Sequence, residues 1–540
     1  MSNELELKKC LREAFAKRGL NLSDSDIVIE RSKESSHGDY STNAAMKCAK
    51  LAHCNPRELA CYLQQNLQSD LIDHIEIAGP GFVNFFMKKG ALQGIIGTIL
   101  DNPDTYGRSS KNGKKIDVEF VSANPTGNLH LGHTRIAVVG DVISNLLDWA
   151  GYDVTREYYL NDCGNQVEHL GHSLRGRYRE LFGEPCELDA DDYHGTDIID
   201  IAKQLKEENG DSLLVDNEET HDFFIEYGIK AELAKIKRDL DEFRVRFDVL
   251  TKESDIRKGN AIENTIKELS PYIYEKDGAY YLKTSDYLDD KDRPIIKSNG
   301  QYTYFMPDIC YHYNKMSRGF DLLIDVLGAD HHGYINRMKS ALMMKGYPAD
   351  SLEVELVQVV RTFRDGVEVK MSKRTGQAIT HRELVSECGV DAVRYLFAER
   401  SQSSHLDFNY NLAMQQSSEN PVFYAQYAHA RCCSVLSLGQ DIPLDPTGSG
   451  LNSEVESALL KQLASFPSAI CSAAAERAPH KMAAYIHKTA ELVHEFYAKA
   501  RIIDRSNISL TSSRLALIKA SEIVLKNALS LLGVSAPSKM

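Results

Sequence analysis

No C-x2-C pair occurs in this chain. Its eleven cysteines are odd in number and scattered: Cys48, Cys54 and Cys61 lie six and seven apart, and Cys432 adjoins Cys433. Zinc-site arithmetic is not met, so reduced thiols and no bound metal are expected. Nor does any apolar run approach the ~18 residues that a membrane helix needs. The opening MSNELELKKCLREAF is charged throughout and lacks the apolar stretch of a secretory signal. A cytoplasmic protein without membrane association is the expectation. Basic charge is short as well. A formal net charge of -14 argues against a nonspecific nucleic-acid binder, while a folded RNA could still be held by a local basic face. Internal repeats and low-complexity tracts are missing. What remains is a globular composition, 43% apolar and 26% charged over 540 residues, long enough for roughly three or four domains.

The most informative stretch is residues 119–135, EFVSANPTGNLHLGHTR. Residues 114–121 alternate like a strand, and Asn124-Pro125-Thr126-Gly127-Asn128 is a turn. After His130-Leu131-Gly132-His133 the apolar residues Ile136, Val139, Ile143, Leu146, Leu147 and Ala150 recur at helical steps until Gly151. A second strand is predicted over 152–159, so the unit is β-turn-α-β with two histidines at the helix mouth. In such sheets ligands bind beyond the carboxyl ends of the strands.

Around this unit three domains are predicted. Residues 1–110 form an α+β unit: a helix over 5–18, two helices within 39–67 with Asn55 as cap and Pro56 in the first turn, and two strand pieces around Gly79-Pro80-Gly81. Residues 111–410 form a Rossmann-type parallel-sheet domain with a charged helical insertion over about 167–257. Within it, a hairpin involves 279–282 with a turn at Asn299-Gly300, a buried parallel strand spans 321–327, and Arg364-Asp365-Gly366 turns a second hairpin. That hairpin, flanked by 353–363 and 367–371, leads into Lys370-Met371-Ser372-Lys373-Arg374-Thr375-Gly376, a loop with three cations in five residues. Residues 411–540 read as an all-helical bundle, with helices over 413–436, 454–475, 480–502 and 514–532.

The histidine and lysine loops lie about 240 residues apart and each alone is a weak signal. Together they fit one chemistry. Attack on the α-phosphate of ATP needs positioning and charge stabilisation more than covalent help. His130 and His133 share one helix face and can donate to phosphate oxygens, where the helix N-terminus adds favourable partial charge. Lys370 and Lys373 can meet the charge that develops on departing pyrophosphate. A carboxylate nucleophile would need no general base.

The HLGH and KMSKR loops resemble the two ATP-binding signatures of class I aminoacyl-tRNA synthetases. The longer segments EFVSANPTGNLHLGHTR, YLNDCGNQV, GADHHGY, VKMSKRTG, VDAVRYLF and ENPVFYAQYAHAR, with GDYSTNAAMKCAKLA and GPGFVNF near the start, resemble bacterial-type arginyl-tRNA synthetases over nearly the whole chain. The resemblance implies activation of L-arginine with ATP and Mg2+, no permanently bound cofactor, transfer to tRNA(Arg), and a monomer. His130, Gly132, His133, Met371, Ser372 and Lys373 would bind ATP, with His130, His133, Lys370 and Lys373 catalytic. Glu119, Ser122, Asn124, Glu253, Tyr304 and Asp308 would bind arginine. The N-terminal domain would contact the outer corner of the tRNA. The bundle would read the anticodon, with Tyr424, Tyr427 and Arg431 as candidate contacts. The sequence departs from the family pattern at Arg374 (usually serine), at Lys252 (usually glycine), and at Ala329, where some members use a glutamine. Taken alone, Tyr304 and Asp308 also fit a capping pair, Glu119 a solvent-facing strand residue, Asn124 a plain turn residue, and the bundle tyrosines buried packing. A non-catalytic tRNA-binding paralogue and another class I synthetase are the competing functional readings.

Overall fold

The computed structural model describes residues 3–22, 26–31, 37–88, 90, 92–371 and 379–540. Its first unit is an antiparallel sheet of β1 (Ile29–Arg31), β2 (Tyr40–Thr42), β3 (Ile72–Ala78) and β4 (Phe82–Met87), in the order β1-β2-β4-β3. Helices Asn3–Ala16 and Pro56–Asn66 accompany it. The Asn55 carboxamide accepts from the Arg57 amide at 2.9 Å, closing the first turn that Pro56 begins. Leu7, Leu11, Phe15, Leu59, Leu63, Val83 and Phe85 make a core separate from the rest of the chain. Residues 40–42, placed in a helical region by their spacing, instead form β2: Tyr40 and Thr42 alternate into the core and pair with Phe85 and Val83.

The central sheet holds β5 (Lys115–Phe120), β6 (Asp153–Leu160), β7 (Val249–Lys252), then, after a small antiparallel sheet of β8 (Ile273–Lys276), β9 (Ala279–Leu282) and β10 (Arg293–Ile296), β11 (Leu322–Gly328) and β12 (Leu352–Val357). Its order is β12-β11-β5-β6-β7, all parallel. The chain leaves β5 toward β6 on one side and later returns to β11 on the other. This reversal opens a crevice at their carboxyl ends, the expected place for a ligand.

Three details differ from the sequence pattern. Helices Asn165–Glu180, Thr196–Asn209 and Glu218–Glu242 make the insertion, but Val249–Lys252 rejoins the sheet as its edge strand. The turn between β8 and β9 lies at Asp277-Gly278, both with positive φ; Asn299-Gly300 instead follows β10. The run 353–363 divides in two. Its first part is β12, and its second is β13 (Val360–Arg364), which pairs with β14 (Val367–Glu368) and β15 (Leu406–Asn409). Asp365 and Gly366 turn that hairpin with φ of 52° and 77°, the conformation that this dipeptide favours.

Beyond β15 the described regular elements are all helices: Tyr410–Met414, Pro421–Leu438, Glu454–Ala464, Phe466–Ala475, Pro479–Lys499 and Ile508–Leu531. The break at 465 follows from Pro467, which is accommodated only in a first turn. One continuous core joins this bundle to the sheet through helices Leu131–Trp149 and Val390–Glu399. Gly140 sits where the first of these crosses β5. A Cβ there would lie 2.2 Å from Cγ of the buried Phe120. Gly140→Ala should therefore lose about 1–3 kcal/mol through overpacking, despite alanine's better helix propensity. Urea unfolding should show an earlier midpoint; an unchanged one would mean that Phe120 can step aside.

Candidate active site

A cavity of about 840 Å³ lies beyond the carboxyl ends of β5, β11 and β12. Its entrance is shaped by an unusual backbone. Val121 and Ser122 both have positive φ, 69° and 37°, a conformation that costs a β-branched residue on the order of 1–3 kcal/mol. Surrounding bonds hold the turn: Ser122 Oγ donates to Glu119 at 2.9 Å and accepts from the Tyr159 amide at 3.1 Å, and the Tyr158 hydroxyl donates to the Ala123 carbonyl at 2.6 Å. Asn124 follows at the rim, donating to Gln166 at 2.5 Å.

His130 caps the Leu131–Trp149 helix. Its Nδ1 accepts from the Gly132 and His133 amides at 3.1 and 3.4 Å, while His133 Nδ1 accepts from the His130 amide at 3.4 Å. The rings stack 3.7 Å apart. With both Nδ1 atoms accepting, each neutral ring carries its proton on Nε2. Burial lowers the pKa of His130, and burial with the neighbouring His130 and His381 lowers that of His133 to about 4. At neutral pH the pair are therefore uncharged Nε2–H donors. Gly132 is required by the same geometry, because a Cβ there would come within 2.9 Å of the His130 ring.

Opposite the histidines the walls are acidic. The register of β11, β5 and β6 sets Asp325 beside Glu119 and Glu119 beside Glu157, so three buried carboxylates form a row across three strands. Asp117 lies two residues back on the same face of β5. Into this row the Phe305–Ser317 helix inserts Lys315, which is fully buried. Its Nζ lies 2.6 Å from Glu119, 3.1 Å from Asp325 and 3.2 Å from Asp117. Burial opposes charge on Lys315, but Asp325, Glu119 and Asp117 outweigh it and hold its pKa well above the ordinary lysine value. Asp325 is correspondingly lowered: burial works against its charge, and Lys315 and His312 prevail. Asp117 is raised to about 7, because burial and Glu157 exceed the help of Lys315.

Asp308, about two turns before Lys315 on the same helix, lines the cavity. Its carboxylate has no hydrogen-bond or ion-pair partner among the described residues. Burial first, then Glu253 and Glu119, push its pKa up to about 7. Such a carboxylate, in a cavity also lined by Tyr159 and Tyr311, is arranged for a cation from outside. Glu253 is buried behind Tyr159 and is held by Arg257 at 2.5 Å.

The structure brings Glu119, Ser122, Asn124, His130, Gly132, His133, Asp308 and Lys370 to one cavity. It does not bring Tyr304 there: that ring is 81% exposed at the start of its helix and makes no capping bond. Glu119 faces inward, not to solvent. Lys370 reaches the rim with 78% of its side chain exposed, and Met371 is exposed beside it. Ser372, Lys373 and Arg374 lie outside the described residues. In the bundle, the Arg431 guanidinium lies over the Tyr427 and Tyr497 rings at 4.7 and 4.5 Å, while Tyr424 is packed against His494. Sequence pattern passed over Lys315, Asp325 and Tyr311. One signal was available: Asp308, Tyr311 and Lys315 recur at three- and four-residue steps on the apolar face of a helix, where a solvated lysine would not sit.

A parallel sheet with a topological switch, a paired-histidine helix mouth at that switch and a lysine hairpin on the far rim define a class I aminoacyl-tRNA synthetase. Comparison with known proteins agrees. Residues 95–433 match the model of the class I (R) tRNA synthetase catalytic domain, residues 5–87 the arginyl tRNA synthetase N terminal domain, and residues 425–540 the DALR anticodon binding domain. The chain is 47% identical to the arginine--tRNA ligase of Bacillus subtilis over 99% of this chain and 98% of that protein. It is 48% identical to that of Bacillus cereus over 95% and 94%. The arginyl-tRNA synthetase structure from Thermus thermophilus has the same fold, with a TM-score of 0.78 over all of both chains at 21% identity. The chain belongs to the arginyl-tRNA synthetase family. No described helix is long and apolar enough to cross a membrane, and none of the eleven cysteines is bridged.

Proposed function

We propose the following division of labour for the reaction of this arginine–tRNA ligase. Arginine enters with its guanidinium toward Asp308, among the described residues the one cavity carboxylate without a partner, where a planar fork of donors can engage both oxygens. Its α-ammonium meets Glu119, already fixed by Lys315 and Ser122, and Asn124 orients the carboxylate. Tyr304 would close over the guanidinium from its exposed position, and Glu253 acts through Tyr159. ATP enters as its Mg2+ complex, with its phosphates against the His130 and His133 Nε2–H groups and the helix N-terminus.

An arginine carboxylate oxygen then attacks the α-phosphorus, the bond to the bridging oxygen breaks, and pyrophosphate leaves. Lys370 and Lys373 would meet the charge developing on that leaving group, with Met371 and Ser372 beside the nucleotide. In the second step a hydroxyl of the 3'-terminal adenosine of tRNA(Arg) attacks the activated carbonyl and AMP departs. Domains 1–110 and 411–540 would hold the tRNA on either side of 111–410. Tyr427 and Arg431 offer stacking and phosphate contact, whereas Tyr424 serves mainly in packing.

The observation that carries this reading is the unpaired, raised-pKa carboxylate of Asp308 facing two neutral histidine donors across one cavity. Charging of total tRNA with each amino acid in turn tests it. Arginine alone should be esterified, and arginine with tRNA should support pyrophosphate exchange. Lys373→Ala should slow adenylate formation by about 100-fold, as expected for one lost charge-stabilising donor, with little change in KM for arginine. Binding of tRNA without ATP binding or charging would instead identify a non-catalytic relative, and preference for another amino acid a different class I enzyme.

A further inference from the structure

Away from the catalytic cavity, the bundle holds a second cluster of metal-type donors. His429 and Cys433 stand one turn apart on the Pro421–Leu438 helix, and Glu522 faces them from the Ile508–Leu531 helix. One candidate ligand atom from each lies within 4.8 Å of the other two. His429 is only 3% exposed. Its Nδ1 lies 2.9 Å from the Pro537 carbonyl, which can only accept, so Nδ1 carries the proton. Nε2 is therefore the nitrogen left free for another partner. That atom faces a Glu522 oxygen at 3.4 Å and makes no hydrogen bond. The other Glu522 oxygen takes Lys519 at 2.6 Å. A ring nitrogen and a carboxylate oxygen thus confront each other without a hydrogen bond in a half-buried pocket beside a thiol, an arrangement that a positive species between them would relieve.

We infer that His429 Nε2, Cys433 Sγ and Glu522 Oε1 form a site for a borderline divalent transition ion of the Zn2+ type. Imidazole, thiolate and carboxylate are the donors that such an ion takes, and three of them leave a fourth, tetrahedral position to water. The hydrogen bond from Nδ1 to a backbone carbonyl is the outer-sphere contact that orients a ligating histidine. On binding, the Cys433 thiol releases its proton to solvent and its sulfur becomes the third ligand. The ion then ties the Pro421–Leu438 helix to the Ile508–Leu531 helix, and through His429 it holds the Pro537 carbonyl. The site is a clasp on the end of the chain, remote from the reacting atoms.

The test uses the full chain after chelator treatment. Titration with Co2+ should fill one site with a thiolate-to-cobalt charge-transfer band, release one proton, and be reversed by Zn2+. Zn2+ should also raise the thermal midpoint. Cys433→Ser should lose the band, and both Cys433→Ser and Glu522→Gln should bind Zn2+ about 100-fold more weakly or worse and show no thermal shift. The sulfur-free cluster His172, Asp189 and Asp192 cannot give that band and serves as an internal control. No band in the wild type, or a band that survives Cys433→Ser, overturns the inference. If histidine NMR of the metal-free chain shows His429 charged at pH 8 and insensitive to Zn2+, a proton fills the gap and the clasp is an ordinary ion pair.

Discussion

Lys315→Met should destabilise the protein by about 3–5 kcal/mol, the cost of removing one partner from a buried ionic cluster. Methionine matches the stem of lysine in shape, so little of the loss comes from packing. What is lost is, among the described residues, the only cation in direct contact with Asp117, Glu119 and Asp325 together. The damage has a characteristic pH dependence. In the wild type, the lowered pKa of Asp325 contributes stability above its unfolded value, and this is lost as pH falls through the lower folded value. In the variant, Asp325 keeps only His312 against the effect of burial, and its folded pKa rises above the unfolded one. The folded state then binds more protons than the unfolded one, so stability falls as pH rises. The deficit should grow as pH rises through the acid range below about pH 4, where the wild type gains this term, and grow further above it, to be largest at neutral pH. Urea unfolding at several pH values measures this. KM for arginine should rise as well, because Glu119 loses the contact that aims it. A pH-independent deficit would mean that Lys315 acts by packing alone. Asp117→Asn offers a contrast: its carboxylate already sits at about 7, so that change should be nearly neutral.

The architecture was legible where pattern and burial agree. The β5–helix–β6 unit declared itself because its helix is apolar on the face that packs against the sheet and because Gly151, with φ of 99°, ends it. The Asp365-Gly366 hairpin did so because few dipeptides accept two positive φ values. The pattern gave least where tertiary pairing, not local propensity, decides the state. β7 is four residues long and alternates half-buried with exposed positions, so its only distinguishing feature is its pairing with β6. β2 is three residues long and owes its extended form to β4. The run 353–363 looked continuous, because nothing in the side chains of Gln358 and Val359 announces that the chain there changes sheets.

The site was legible in its loops and opaque in its floor. His130, Gly132 and His133 belong to one local motif whose capping geometry is complete within four residues. Glu119 was identified by its neighbours in sequence, but its direction depended on register, which sets it between Asp325 and Glu157. Lys315 and Asp325 are separated in sequence from β5 by about 200 residues, and only the fold makes them partners. A buried lysine is detectable in principle as a charge on an apolar helix face, but helix 305–317 also carries Lys315 near its end, where a solvated lysine would favour the dipole. Two physical readings competed there, and tertiary contact selected the less common one.

Asp308→Asn separates substrate binding from the cost of keeping a binding site ready. Asparagine retains shape but cannot bear charge, so the guanidinium would lose its counter-ion in a buried place. Loss of one partner of such a pair costs about 2 kcal/mol or more, and KM for arginine should rise at least ~30-fold, since each 1.4 kcal/mol is a factor of ten. The wild type should also bind arginine more tightly as pH rises through about 7, where Asp308 ionises, whereas the substrate guanidinium stays charged throughout. The variant should lack that dependence. Without arginine the sign reverses. A folded pKa raised from 3.8 to about 7 means that the folded state holds a proton that the unfolded state has released, so stability falls with rising pH across that window. Asp308→Asn removes this term, and the empty variant should be more stable than the wild type at pH 8, with the difference vanishing toward pH 4. A variant that keeps its arginine KM would remove Asp308 from the guanidinium site. One that loses arginine without gaining stability at pH 8 would place the raised pKa elsewhere in the acidic cluster. Equal losses of adenylate formation and of arginine affinity in both Asp308→Asn and Lys373→Ala would mean that charge stabilisation and substrate recognition are not divided between these two residues.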